Sequence, residues 1–80
     1  MSEYVDEIVA QKAYDEGIKI GETEPCRESK GSWWEVYKTS KGIIACVLTS
    51  WGVSCGEKIT EDELHMYVDN LEAAKVALRS

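Results

Sequence analysis

The chain predicts an α+β fold: one small domain over residues 1–80, with an N-terminal helix, an antiparallel β-hairpin or three-stranded sheet, and a C-terminal amphipathic helix. Three observations lead there. Apolar residues recur at helical spacing at both ends of the chain. A run rich in aromatic and β-branched residues fills its middle. Two such β segments are separated by Ser40, Lys41 and Gly42, a turn signal.

The first helix is expected over about Glu3 to Glu16. Ser2 is placed to cap it, and Glu3, Asp6 and Glu7 favour its positive end. Val5, Ile8, Val9 and Ala13 form the expected buried stripe, with Gly17 as a left-handed stop and Ile18 folding back on Ala13. Ile18 and Ile20 alternate with Lys19 as a short strand, and residues 21–32, which contain Pro25, read as a loop. Trp33 to Thr39 and Ile43 to Thr49 form the hairpin, with Gly42 in a three-residue turn. That register sets Trp34 opposite Leu48, Val36 opposite Cys46 and Lys38 opposite Ile44 on a core face. On the outer face, Trp33, Tyr37, Ile43, Ala45 and Val47 accompany Glu35, whose charge marks that face as the wet one. Residues 51–55 offer a third strand. Thr60 and Glu63 make a capping box for the last helix, which buries Leu64, Tyr67, Val68, Leu71, Ala74 and Leu78. Both helices are expected on one face of the sheet.

Eighty residues suffice for one core of modest stability, on the order of 5 kcal/mol. The chain holds 15 acidic and 9 basic residues, for a net charge of −6. Residues 1–28 carry eight acids against three bases, residues 29–56 one against three, and residues 57–80 six against three. Such a chain is repelled by phosphate backbones and anionic membranes, so neither direct nucleic-acid binding nor membrane association is expected. A protein with a basic surface is the natural partner. The longest apolar run, Ile43 to Leu48, is too short to span a bilayer. The chain opens Ser2, Glu3, Tyr4 with no basic-then-apolar leader, and its three cysteines are odd in number. A reducing cytoplasm is the expectation.

Catalysis and metal binding find little support. His65 is the only histidine and falls on the polar face of the last helix, while Cys46 points into the expected core. A Cys55–His65 pair lacks a third orienting group, and Cys26, Cys46, Cys55 and His65 contain no ligand knuckle for zinc. No enzyme, metal or cofactor is expected. The acidic residues Glu57, Glu61, Asp62, Glu63, Asp69 and Glu72 are the candidate contacts for a cationic partner, with Trp33, Tyr37 and Trp51 as apolar anchors. Helix-dipole compensation accounts for part of this clustering.

In size and charge the chain resembles the small acidic inhibitors that bacteriophages encode, anti-CRISPR proteins among them, and the antitoxins and immunity proteins that block basic nucleases. The resemblance covers overall character and no aligned motif. It implies a stoichiometric inhibitor in a host cytoplasm that stands where a nucleic acid would lie. The alternative is a self-associating structural or regulatory subunit, a homodimer through the outer sheet face.

Overall fold

The hairpin forms, but with a tighter turn than the sequence suggests. In a computed structural model describing residues 3–23 and 31–80, β3 (Trp33–Thr39) and β4 (Gly42–Thr49) are joined by Ser40 and Lys41 alone. Thr39 pairs with Gly42, and Gly42 takes φ 117°, a left-handed value that favours glycine. Pairing therefore slips by one residue: Trp33 opposes Leu48, Glu35 opposes Cys46, and Tyr37 opposes Ile44. Trp34, Val36 and Lys38 face Val47, Ala45 and Ile43 on the other side. A one-residue slip exchanges the whole partner set between faces. The expected outer patch of Trp33, Tyr37, Ile43, Ala45 and Val47 is thus divided between two surfaces.

Three further strands complete an antiparallel five-stranded sheet. β5 (Gly52–Ile59) follows β4 and extends the expected 51–55 strand. β2 (Ile18–Glu22) pairs with β3 on the opposite edge, across a bulge between Lys19 and Gly21. β1 (Glu3–Val5) pairs with β5, giving the order β1-β5-β4-β3-β2. Residues 3–5 are therefore extended, not the helical start that the sequence predicts. Tyr4 and Val5 suit a strand and find an open edge on β5.

α1 (Glu7–Glu16) begins after that strand, and Asp6, not Ser2, caps it: its Oδ1 accepts from the Val9 N–H at 3.0 Å. Ser2 lies outside the described residues. The buried stripe is Ala10 and Ala13, while Ile8 is 79% exposed. Small residues let the helix lie close on the sheet, and this rotates the larger apolar side chains outward. Gly17 is not left-handed, with φ −79°. A Cβ there would sit 2.5 Å from the Ala13 carbonyl oxygen and 3.1 Å from the Tyr37 Cβ, so close approach is what demands glycine. Ile18 is exposed instead of folding back on Ala13.

The expected last helix is two pieces. A 3-10 helix (Glu61–Met66) precedes α2 (Leu71–Arg79). Between them the Asp69 N–H bonds the Glu22 carbonyl at 2.9 Å, and Asn70 caps α2 by accepting from the Ala73 N–H at 3.0 Å. The break spares the apolar pattern: Leu64, Tyr67, Val68 and Ala74 are buried, with Leu71 and Leu78 packed beside them.

The helices lie on opposite faces, not on one. Ala10 and Ala13 of α1 pack on Tyr37, Ile44, Cys46 and Leu48. The 3-10 helix and α2 pack on Ile20, Val36, Ala45 and Ile59. Three layers result, with the sheet in the middle. Of the expected 21–32 loop, Gly21 and Glu22 belong to β2, and residues 24–30 lie outside the described residues.

Replacing Gly17→Ala should cost about 1–3 kcal/mol, because the added methyl meets backbone that cannot rotate away. Urea denaturation of the wild type and variant measures the difference.

Candidate functional site

Covering both faces of the sheet removes two of the three expected anchors. Tyr37 is buried beneath α1, its ring edge-on to Tyr14 with centroids 5.6 Å apart. Trp33 packs half-buried against the same cluster. Glu35 lies between them, its side chain only 12% exposed. The Trp33 Nε1–H and the Tyr37 hydroxyl each donate to one of its oxygens at 2.7 Å, and the Lys19 ammonium stands 3.8 Å away. A carboxylate so provided with donors is tolerated inside a layer. Glu35 therefore does not make this a wet face, as its charge alone suggests.

Glu57 repeats the device on the other face, where it accepts a hydrogen bond from the Tyr67 hydroxyl. Tyr67 in turn packs edge-on against Trp34, centroids 4.8 Å apart. Glu57 is thus engaged inside the fold, although the sequence offers it as a partner contact.

The remaining acidic candidates separate by position. Glu61 is bonded to Arg79 at 2.8 Å. Glu63 accepts from the Thr60 N–H at 3.0 Å, and that bond holds its carboxyl below the ordinary range. Asp62, Asp69 and Glu72 are exposed.

Strand direction distributes the charges along the sheet. At the β3–β4 turn end stand Lys38, Lys41 and Lys58, and Arg79 is brought there by α2, where Lys38 also bonds the Ser80 carbonyl at 2.9 Å. Glu61, Asp62 and Glu63 follow β5 at this same basic end, as do Asp15 and Glu16 at the close of α1. The other end, where β4 turns into β5, differs. β1 and β2 stop short of it, Val5 and Glu22 lying in the row of Cys46 midway along β4, with Asp6 and Glu7 after Val5 at one edge of the sheet and Asp69 and Glu72 near Glu22 at the other. Bases stand among them: Lys19 is paired with Glu22, and Lys75 lies one helical turn after Glu72 on α2. Trp51 stands on the β4–β5 turn, 97% exposed. Of the nine candidate contacts, the structure places Asp69 and Glu72 about the start of α2, close to Glu22, and leaves Trp51 apart from them on the β4–β5 turn.

No family model, curated protein or solved structure matches this chain. Its chemistry is therefore read from its own side chains. Cys46 is buried beneath α1, donates to the Ala10 carbonyl at 3.4 Å, and has its thiol pushed up to about 12 by burial. A thiol held neutral is a poor nucleophile. His65 lies in the opposite layer, its Nδ1 2.9 Å from the Asp62 carbonyl oxygen, so the sheet separates it from Cys46. Among the described residues, no three His, Cys, Asp or Glu side chains gather to hold a metal, and no helix is long and apolar enough to cross a membrane.

Burial raises the Tyr37 hydroxyl as well, with the bond to Glu35 adding to the shift. For both groups the folded state favours the protonated form. Their stabilisation is complete below the ordinary values of 9.0 and 10.0 and is lost as pH rises beyond them. Thermal melts from neutral pH to about pH 11 should show stability falling above pH 9. In Cys46→Ala the fall should begin nearer pH 10, whatever constant offset the lost sulfur brings.

Proposed function

We propose that the protein is a non-catalytic, acidic binding domain that occupies the basic surface of a nucleic-acid-handling protein. The supporting observation is the distribution of charge along the sheet: Lys38, Lys41, Lys58 and Arg79 stand at the β3–β4 turn end, while Asp6, Glu7, Glu22, Asp69 and Glu72 lie away from it. Carboxylates arranged in this way can stand in for phosphates and satisfy a partner's lysines and arginines without nucleic acid. Long-range attraction would speed capture and fade as salt screens it. Stoichiometric inhibition is the corresponding mechanism, the role of the phage inhibitors and nuclease antitoxins that the chain resembles in size and charge. The contact region shifts from the expected Glu61, Asp62 and Glu63 cluster, where bases stand close by, to these acids.

A homodimer through an outer sheet face loses its basis, because both faces carry helices of the same chain. Self-association through other surfaces is tested alongside the inhibitor reading.

The decisive experiment pairs capture with competition. The immobilised chain should retain a basic protein from host lysate that elutes as salt rises, and that protein's nucleic acid should compete with the chain for it. The triple variant Glu7→Lys, Asp69→Lys and Glu72→Lys should weaken capture by about tenfold or more at low salt, since charge pairs across an interface are commonly worth over 1.5 kcal/mol. Asp15→Lys with Glu16→Lys, at the basic end, should weaken it much less. Salt-independent capture without competition would count against the reading.

A further inference from the structure

The last segment is patterned as one helix and folded as two. From Glu61 to Arg79 the sequence holds neither glycine nor proline, and Leu64, Tyr67, Val68, Leu71, Ala74 and Leu78 keep a single helical repeat. The capping box of Thr60 and Glu63 supplies one start for it. The structure nevertheless ends the first piece at Met66, as a 3-10 helix of six residues, and begins α2 at Leu71. Such runs seldom exceed about four residues, because their hydrogen bonds are poorly aligned.

Two hydrogen bonds mark the bend. The Asp69 N–H bonds the Glu22 carbonyl at 2.9 Å, and the Asn70 side chain accepts the Ala73 N–H at 3.0 Å. Beyond it α2 turns back on the fold. Arg79 reaches Glu61 at 2.8 Å, and the Lys38 ammonium donates to the Ser80 carbonyl at 2.9 Å. In a single straight helix Glu61 and Arg79 would stand about 27 Å apart, beyond the reach of any side chain. Straightening would therefore lift Leu71, Ala74, Ala77 and Leu78 off the chain's own sheet, and a bare apolar face in water is unfavourable.

The lifted helix needs the socket it left, and a second copy offers the same one. α2 lies against β2, where Gly21 makes room for it: a Cβ there would meet Val68 at 2.7 Å and Ala74 at 3.4 Å. β2 is an edge strand, so an element arriving from outside reaches that socket without crossing another strand. Exchange would re-form every contact of α2 between copies, Arg79 to Glu61 and Lys38 to Ser80 included. The difference is confined to the hinge, where the Asp69 bond and the Asn70 cap give way to intrahelical hydrogen bonds. Both forms bury the same apolar set, so protein concentration decides between them. We propose that the chain exchanges α2 with a second copy, giving a two-fold dimer in which residues 61–79 form one helix. The socket is shaped to α2, which is why the partner is another copy. The proposal is independent of the acidic-binding reading.

Sedimentation velocity after refolding at low and at high protein concentration reads the exchange. Refolding at high concentration should give a dimer that survives dilution, because undoing it requires α2 to leave its socket. Its circular dichroism should show added α-helix, since residues 61–70 join α2. Asn70→Ala removes the cap and favours a continuous helix, and with two hinges per dimer it should tighten the dimer about tenfold or more. Leu71→Pro should abolish the dimer and leave a folded monomer. Proline suits the first position of α2 behind the extended Asn70 (φ −115°, ψ 90°), but it interrupts a continuous helix. Glu72→Pro, at an exposed position of the same turn, is the second lock if Leu71→Pro fails to fold. Monomers at every concentration in both the wild type and Asn70→Ala overturn the proposal. A dimer without added helix, or one that a folded proline variant forms as readily as the wild type, is a side-by-side contact and overturns it equally.

Discussion

The two-residue connection between β3 and β4 is the constraint from which the rest of this architecture follows. With Ser40 and Lys41 as the whole turn, Tyr37 meets Ile44 and Glu35 meets Cys46 on one side, while Val36 meets Ala45 on the other. One more residue in the loop would set Glu35 against Val47 and leave Cys46 and Leu48 on the side of Val36. Side-chain alternation is strict in a strand, so turn length alone decides which apolar set each helical layer receives. The observed choice gives both faces of the hairpin enough apolar surface to hold a layer, and a three-layer domain results.

This explains which parts of the fold were legible in the sequence. The α+β class, the hairpin, the strand at Ile18 and Ile20, and the buried set of the last segment could all be read from periodicity. Leu64, Tyr67, Val68 and Ala74 are buried whether one helix carries them or two pieces do. The break at Asp69 was not legible, because it depends on a hydrogen bond to the Glu22 carbonyl on a distant strand. β1 was hidden for the same reason: residues 3–5 suit a helix start locally, and only the open edge of β5 draws them into the sheet. The face assignment failed on Glu35. A carboxylate in an apolar row reads as wet until its donors are seen, and those donors, Trp33 and Tyr37, share the face that its charge marks as outward.

The candidate site was less legible than the fold. Sequence proximity grouped Glu61, Asp62 and Glu63 because they are adjacent, yet strand direction carries them to the end that also holds four bases. Glu22 and Asp69 are far apart in the chain and meet only because the segment before α2 bonds the last residue of β2. Charge counts are additive along a sequence, but the field a partner meets is set by topology. Trp51 is exposed, since a turn residue flanked by Ser50 and Gly52 has nothing nearby to cover it.

Glu35 and Glu57 carry the argument one step further. Each is a carboxylate turned into a layer, and each is met by a tyrosine hydroxyl, from Tyr37 on one face and Tyr67 on the other. Removing either hydroxyl would leave a charge short of a donor within the fold, which costs more than an ordinary hydrogen bond contributes. These two acids, both partly buried, are therefore engaged within the fold. In so small a domain, the surface available to a partner is whatever the two layers leave uncovered, and the ends of the sheet are the part that neither layer can reach. The β4–β5 turn, with Trp51 97% exposed at its tip, is such a part.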